Sequence, residues 1–542
     1  MNRSNPVYFL AFLVAIVAAL GGLALAKGGF YIGKHEGDTL HMVEIIFRIV
    51  AGEIPHLDFV TPIGGLAFAP AALFVTMGYG VGTASILAQI LMAIVFLPMV
   101  WWVGIGRLTP AISAFFGLVV MVLLLALVHG EAERSTAISM HYNRWAWAAA
   151  YVAIVTSLVP PVHPRNAVID GAIVGAMLSA LALIKVTYFV AFALPVAIAL
   201  LLTGQRRALL VSVLTGAMIF AGLTLWLGTG YWLAYLGDLL TVTRSDIRQM
   251  PGDSFEAILG APAWLGASIV GILSVVFLRQ SRAHTAGLVV LLLLPGFAYV
   301  TWQNFGNDPQ WLPLLVILLF AFMPPQDMTN GLGWNLRSAT KLTAVAALSL
   351  GAPSFFNLAY SPFRHYGVVT ENFSPLLPRG GVHADLQTAK IRAMRVDARI
   401  ALDIEAMGLA RYREGADREE TAIFRGEHMP TCALELGLPS VFDAMARDME
   451  EHGIGRGEPV FVADLFSSVL WLYGDFAPLI HGAPWYYGGL PGYDEARYLV
   501  VPHCPVVQEV QTRILNAITE RGGADNLKEL RRNAVYTLYE IL

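Results

Sequence analysis

Charge is scarce in this 542-residue chain: Asp, Glu, Lys and Arg make up 14% of it, against 56% hydrophobic residues and a mean hydropathy of +0.61. Soluble domains carry about 25% charged residues, so a wholly soluble protein is excluded. No run of Lys and Arg exceeds two residues and the net charge is only −4. That removes the basic footprint of a nucleic-acid binder. Cysteine is almost absent too. Cys432 and Cys504 alone are too few for a thiolate metal centre. They form a disulfide if their part of the chain faces an oxidising compartment, and are two separate buried thiols otherwise.

The charges are also unevenly placed. Residues 1–359 hold 31 of the 74 and residues 360–542 hold the other 43. The expected fold is therefore a polytopic α-helical membrane protein over 1–359 followed by a soluble α/β domain over 360–542. The first apolar segment, 7–26, ends in Ala24-Leu25-Ala26 like a signal-peptidase site. Its length matches the roughly 20 residues of a membrane span, so a retained anchor is expected. Further apolar stretches lie at 81–104, 109–129, 145–161, 170–203, 208–228, 261–278, 285–302, 311–324 and 341–358. The stretch 170–203 is too long for one crossing of a core about 30 Å thick, so it divides near Lys185. Eleven transmembrane helices result.

Arg206 with Arg207, Arg279 with Arg282, and Arg337 with Lys341 mark cytoplasmic loops. Counting back places Arg165 and Arg107 inside and residues 130–144 outside. Parity then requires 63–77 to lie in the interface or re-enter, giving a long first external loop over 28–80. The C-terminal domain faces the periplasm of a bacterial inner membrane.

Within that first loop, Leu40, Val43, Phe47 and Val50 recur at helical spacing with Glu44 and Arg48 on another face, the pattern of an amphipathic helix on the membrane surface. Asp38 is placed to cap that helix, or to act chemically together with Glu36. Polar groups accumulate on the external side: His56 and Asp58 in the first loop, Glu131, Glu133, His141, Asn143 and Arg144 in the second, and Gln303, Asn304, Asn307 and Asp308 in the fifth. Lys185 sits on the same side between apolar spans, where an ionisable residue marks a functional site or snorkels to headgroup phosphates. In the C-terminal domain, strands are expected at Pro459–Ala463 and Tyr498–Val501, and helices at Leu465–Tyr473 and Val507–Glu520. Pro484-Trp485-Tyr486-Tyr487-Gly488-Gly489 reads either as a sugar-stacking surface or as a packed loop.

This arrangement resembles the GT-C superfamily of lipid-linked-sugar glycosyltransferases, which includes oligosaccharyltransferases, protein mannosyltransferases and the aminoarabinose and galacturonic acid transferases. Its members share a cytoplasmic N-terminus, a long first external loop with an acid just after span one, surface helices in that loop, and often a periplasmic C-terminal domain. Gly52–Gly65 (GEIPHLDFVTPIGG) resembles the glycine, proline, aromatic and phenylalanine segment between the two surface helices of bacterial members. Two departures stand out. Glu36-Gly37-Asp38 replaces an Asp-Glu pair, and Thr61-Pro62-Ile63-Gly64 stands where related transferases have a Lys-Pro-Pro-Leu turn.

The resemblance implies an inverting transfer of a sugar from a polyprenyl-phosphate donor to a glycan, lipid or protein acceptor at a membrane surface. Asp38 is then the base, with Glu36 the alternative. Lys185 holds the departing phosphate, with His141 and Arg144 as second candidates. Asn304, Asn307 and Asp308 bind sugar hydroxyls, and His56 and Asp58 complete the substrate-binding set. No cofactor is demanded, though Glu36, Asp38, Asp58 and Asp308 could supply oxygens to a divalent cation, Mg or Mn. The competing readings are a transporter or flippase, a polysaccharide ligase or polymerase, and a non-enzymatic scaffold.

Overall fold

The computed structural model of the chain describes residues 5–130, 133–162, 166–245, 247, 254, 256, 262–304, 309–400 and 421–542. Glu131, Arg165, Asn307 and Asp308 lie outside the described residues. Each apolar stretch of the sequence is helical: α1 (Pro6–Ala26), α4 (Val81–Arg107), α5 (Pro110–Leu125), α6 (His141–Leu158), α7 (Ala167–Ile184), α8 (Val186–Leu202), α9 (Arg206–Leu227), α11 (Pro262–Gln280), α12 (His284–Gln303), α13 (Leu312–Ala321) and α14 (Leu336–Tyr366). The order is completed by α2 (Glu36–Val50), α3 (Ala69–Thr76) and α10 (Gly230–Thr243). Six helices, α1, α4, α7, α9, α12 and α14, are long and apolar enough to cross a membrane. Four others, α5, α8, α11 and α13, are apolar over only 10–17 residues. The ten residues of α13 extend about 15 Å, half the thickness of a hydrocarbon core. The eight of α3 fall shorter still.

Local chemistry sets several of these ends. The Asn5 side chain accepts from Val7 N (3.0 Å) and Tyr8 N with Pro6 at the first helical position, and Asn166 and Asn335 cap α7 and α14 in the same way. Lys185 alone is extended between α7 and α8 (φ −155°, ψ 104°), so the long stretch divides there. Every residue of α6 is buried. Packed against α4, α5, α7 and α8, it is the axis of the helical bundle.

The C-terminal part holds a four-stranded sheet in the order β10 (Leu527–Arg532), β11 (Tyr536–Ile541), β9 (Tyr498–Pro502), β8 (Val460–Val462), with β8 and β9 parallel and the other pairs antiparallel. Helices α15 (Leu438–Glu451) and α16 (Gln508–Glu520) bury an apolar face each. The expected helix at 465–473 is only a 3-10 turn, Val469–Leu472. Strand β4 (Asp397–Ile400) pairs with β7 (Cys432–Leu436), and β5 (Ile423–Phe424) with β6 (Glu427–His428). A Cys432–Cys504 disulfide ties the β4–β7 ribbon to the segment following β9.

Helix α14 continues to Tyr366, and a three-stranded sheet joins the segment after α1 to the segment after α14. In it β3 (Leu386–Ala389) lies between β2 (Phe373–Pro375) and β1 (Phe30–Ile32), with Ile32 opposite Thr388 in parallel. Lys27 Nζ donates to the Tyr366 and Val368 carbonyls, at 3.0 and 2.7 Å. The Asp385 carboxylate accepts from Gly82 N (3.0 Å) and Thr83 N (2.7 Å), closing the free N–H groups that start α4. A Cβ on Gly82 would lie 2.7 Å from the Asp385 carbonyl, so glycine is needed for that approach.

Helix α2 corrects the surface-helix expectation. Its apolar residues Leu40 and Val43 are buried, but so is its polar face: Glu44 and Arg48 are both 0% exposed. Arg48 Nε donates to Glu44 (3.1 Å) and Nη1 to Glu53 (2.8 Å), and the guanidinium lies over the rings of Phe59 and Trp471. Glu44 also accepts from Ser468 Oγ (2.5 Å) and Trp471 Nε1 (3.3 Å). The helix is thus covered by the C-terminal part rather than by water. Removing one partner of a buried pair costs about 3–5 kcal/mol, while replacing both by apolar or neutral groups is often neutral. Arg48→Met should therefore lower the thermal unfolding midpoint of the solubilised protein sharply, and Glu44→Gln with Arg48→Met should recover much of it. An Arg48→Met protein that melts with the wild type would remove this role.

Candidate functional site

The first turn of α2 carries the candidate base. The helix starts at Glu36 behind His35, which takes a left-handed backbone (φ 66°, ψ 39°) and makes no side-chain cap. Asp38 is therefore not the N-cap expected from the sequence. It lies inside the first turn, where the helix dipole favours its negative charge.

Its side chain lines two adjoining cavities. The first, about 390 Å³, runs past His41, Ile63, His129, Met140 and Tyr142 to Val507 and Val510. The second, about 270 Å³, is more charged, with Lys34, Glu36, Arg392 and Glu435 on its walls. Asp38, Leu465 and Trp485 belong to both. Leu465 follows β8 while Val506 and Val507 follow β9, so these walls come from the carboxyl ends of two parallel strands, where open α/β sheets form their crevices. Buried Asp464 fixes them by accepting from the N–H groups of Leu465, Val506 and Val507 at 2.7, 2.6 and 3.2 Å. Burial pushes its carboxyl up to about 6 against the pull of those donors. Trp485 stands between His41 and Phe466, facing the cavities, whereas Tyr486 and Tyr487 are packed inside. The aromatic loop thus holds a cavity wall and a packed core together.

His35 and His129 stack 4.3 Å apart and 13° from parallel, with His35 Nδ1 3.8 Å from Asp38. His129 follows the end of α5 at Leu125, and its Nδ1 is 2.8 Å from Ser139 Oγ. Burial lowers both imidazoles. The Lys34 charge adds to the effect at His35, and the His35 and Arg144 charges help bring His129 to about 3. Lys34 instead ion-pairs with Glu133 at 3.0 Å, holding that carboxyl near 2.

His35, Asp38 and His129 bring potential metal-ligand atoms within 4.8 Å of one another. This donor set is richer in nitrogen than the anticipated Glu36, Asp38, Asp58 and Asp308; of those, Glu36 bonds Arg392 and Asp58 its own turn, and Asp308 lies outside the described residues. Two face-to-face rings direct their in-plane lone pairs side by side, not toward a common point. As arranged they do not fit a tetrahedral or octahedral ion.

Lys185 joins two polar residues at the ends of separate helices, Asn143 in the first turn of α6 and Asn304 at the C-cap of α12. Its Nζ donates to Asn143 Oδ1 (2.9 Å) and Asn304 Oδ1 (2.6 Å) and lies 5.4 Å from the centre of the Tyr142 ring. Lys185 does not itself line the 390 Å³ cavity, but Tyr142 does. Gly64 N donates to the Ile184 carbonyl at 3.1 Å, anchoring the Gly52–Gly65 segment to the α7–α8 break.

The remaining candidates are held in structural contacts. Glu36 forms a paired contact with Arg392, at 2.8–3.0 Å. Asp58 accepts from Ile54 N (2.7 Å) within its own turn. His56 Nδ1 is 2.9 Å from Asp238 on α10, and its ring stacks on Tyr235. Arg144 donates to the carbonyls of Val128 and Ala126, and His141 Nε2 is 2.8 Å from the Ala67 carbonyl. Both are buried, and neither Arg144 nor His141 lines the two cavities at Asp38. Sequence reasoning missed His129 and Arg392. An imidazole at the outer end of an apolar run was a usable signal for the first; nothing local marks the second.

No protein-family model and no curated protein matches this chain.

The depressed His129 gives a pH prediction. The unfolded chain takes up a proton near 6.5 while the folded one resists until about 3, so unfolding binds protons and stability falls as pH drops across that window. His129→Gln should flatten the acid-side loss in thermal unfolding. Identical pH slopes in variant and wild type would contradict a neutral, buried His129.

Proposed function

We propose that the protein is an integral-membrane, inverting glycosyltransferase that moves a sugar from a polyprenyl-phosphate donor to an acceptor on the outer side of a bacterial inner membrane. The observation that carries this reading is the shared carboxylate: Asp38 lines two neighbouring cavities of different chemistry. The larger one is walled mainly by apolar and aromatic side chains and suits a lipid-linked donor. The smaller one, with Lys34, Glu36, Arg392 and Glu435, suits a polar acceptor.

In this reading an acceptor hydroxyl attacks the anomeric carbon as its proton passes to Asp38, and the carbon–oxygen bond to the donor phosphate breaks on the opposite face. Configuration inverts and polyprenyl phosphate leaves. Lys185 neutralises the charge developing on that phosphate once Tyr142 turns aside, with Asn304 orienting the ammonium.

The topology we propose has eleven crossings, α1, α4–α9 and α11–α14, with an inside N-terminus and the segment after Tyr366 outside. Strand pairing supports it. Because β1, just after α1, pairs with β3, just after α14, an even number of crossings must separate them. The six helices long and apolar enough on their own leave five after α1, an odd number, so the proposed topology counts the shorter helices as well. Counting all eleven leaves ten.

Asp38→Asn, nearly isosteric, should reduce transfer by about 10²–10⁴-fold, the usual contribution of a positioned base, without lowering protein level. Mass spectrometry of surface glycans and polyprenyl-phosphate-sugar pools in cells reads this out. Loss of one sugar with its donor accumulating is expected in both Asp38→Asn and a deletion. An inert Asp38→Asn beside a deletion that changes which lipids reach the outer leaflet would favour a transporter instead.

A further inference from the structure

A second cavity system lies on the flank of α14, away from Asp38. It is a groove of about 590 Å³ lined by Arg134, Pro353, Phe356, Asn357, Tyr360 and Arg364. Two guanidiniums share it, and among the described residues no carboxylate lines it. Among the described residues neither Arg134 nor Arg364 has a salt bridge. The nearest acid in sequence, Glu133, turns its carboxylate to Lys34 and offers the groove only its backbone: its carbonyl accepts from Asn357 Nδ2 at 2.8 Å. Asn357 Oδ1 in turn accepts from Arg364 Nη1 at 2.9 Å, and the Arg364 guanidinium lies 5.7 Å from the Tyr360 ring centre. Arg364 is therefore held in place with no carboxylate partner among the described residues, and Arg134 is exposed beside it.

Like charges brought together without an acid repel, and an anion between them relieves the repulsion. The surroundings say what else the anion carries. Phe356, Tyr360, Phe363 and Tyr366 are 72, 59, 48 and 50% exposed along the last turns of α14. Exposed aromatics at the end of an apolar helix mark the headgroup level of a bilayer. Pro353 lies eleven residues before Arg364, about 16 Å along the helix, so the groove extends from that level into the depth of acyl chains.

We propose that this groove binds the phosphate of an anionic phospholipid between Arg134 and Arg364, with the lipid's chains along Phe356 and Pro353. The site is independent of any chemistry at Asp38. The guanidiniums recognise phosphate, which a free anion could also supply. The aromatic and apolar floor is what selects the lipid.

The test uses the full chain purified in a neutral detergent, with native mass spectrometry after addition of dioleoylphosphatidylglycerol or, separately, dioleoylphosphatidylcholine. The wild type should retain the anionic lipid in preference to the zwitterionic one. Arg134→Gln should weaken that retention about fivefold, the effect of one cationic side chain at a membrane surface, while Arg134→Lys should keep most of it. Because Arg134 is exposed and bonds nothing described, its thermal unfolding should match the wild type. Equal retention of the two lipids, or an Arg134→Gln protein that retains phosphatidylglycerol as the wild type does, would overturn the proposal. Displacement of the lipid by millimolar inorganic phosphate would also overturn it, leaving an ion site without lipid recognition.

Discussion

The structure turns on a buried guanidinium. Arg48, fully enclosed, holds Glu44 and Glu53 while Glu44 also accepts from Ser468 and Trp471 of the C-terminal part. Buried ion pairs rarely stabilise more than a well-packed apolar replacement, so this cluster is better understood as a geometric constraint. A hydrophobic face can slide along its partner with little penalty. A charge cluster with several directed hydrogen bonds has only one low-energy register, and it fixes the rotation and height of α2. Asp38 lies on the same helix three turns earlier and inherits that placement.

How far the sequence could be read follows from the range of each interaction. The apolar stretches were legible because burial in lipid or protein demands them residue by residue. The break at Lys185 was legible because a charge inside 34 apolar residues has to find polar company, which Asn143 and Asn304 supply. The short reach of α13 is not read: 311–324 counts as a full apolar stretch, although Pro324 and Pro325 close it and the residue before a proline is disfavoured in helix. What covers the polar face of α2 was not legible. Periodicity reports that a face is polar, and it cannot distinguish water from Ser468 and Trp471 some 420 residues away.

The same distinction separates the candidate residues. Asp38 could be named from its position after the first apolar segment, but its neighbours come from three parts of the chain: His129 beyond α5, Trp485 in the aromatic loop, and Arg392 before β4. Arg144 and His141 could be named as phosphate ligands from the sequence, but their hydrogen-bond partners could not. A buried guanidinium must satisfy its donors, and the backbone carbonyls at the end of α5 take those of Arg144. Polar residues near a membrane boundary serve chemistry or backbone satisfaction, and composition alone does not tell the two apart.

These connections change what the charged C-terminal third is. Composition reads it as a domain appended to a membrane part. Yet its strand β3 pairs with β1 from the first loop, Asp385 closes the start of α4, Arg392 neutralises Glu36, and the backbone of Val60 and Asp58 bonds to Gly482 and His481. Each link closes a loop of more than 300 residues, and closing such loops separately would carry a large entropy cost. That cost grows only logarithmically with length, so once the first link forms the remaining ones close much shorter effective loops. The links therefore favour forming together, with the C-terminal part folding onto the first loop as one unit. The cavities at Asp38 exist only when both are in place, because neither the first loop nor the strand ends beyond β8 and β9 encloses them alone.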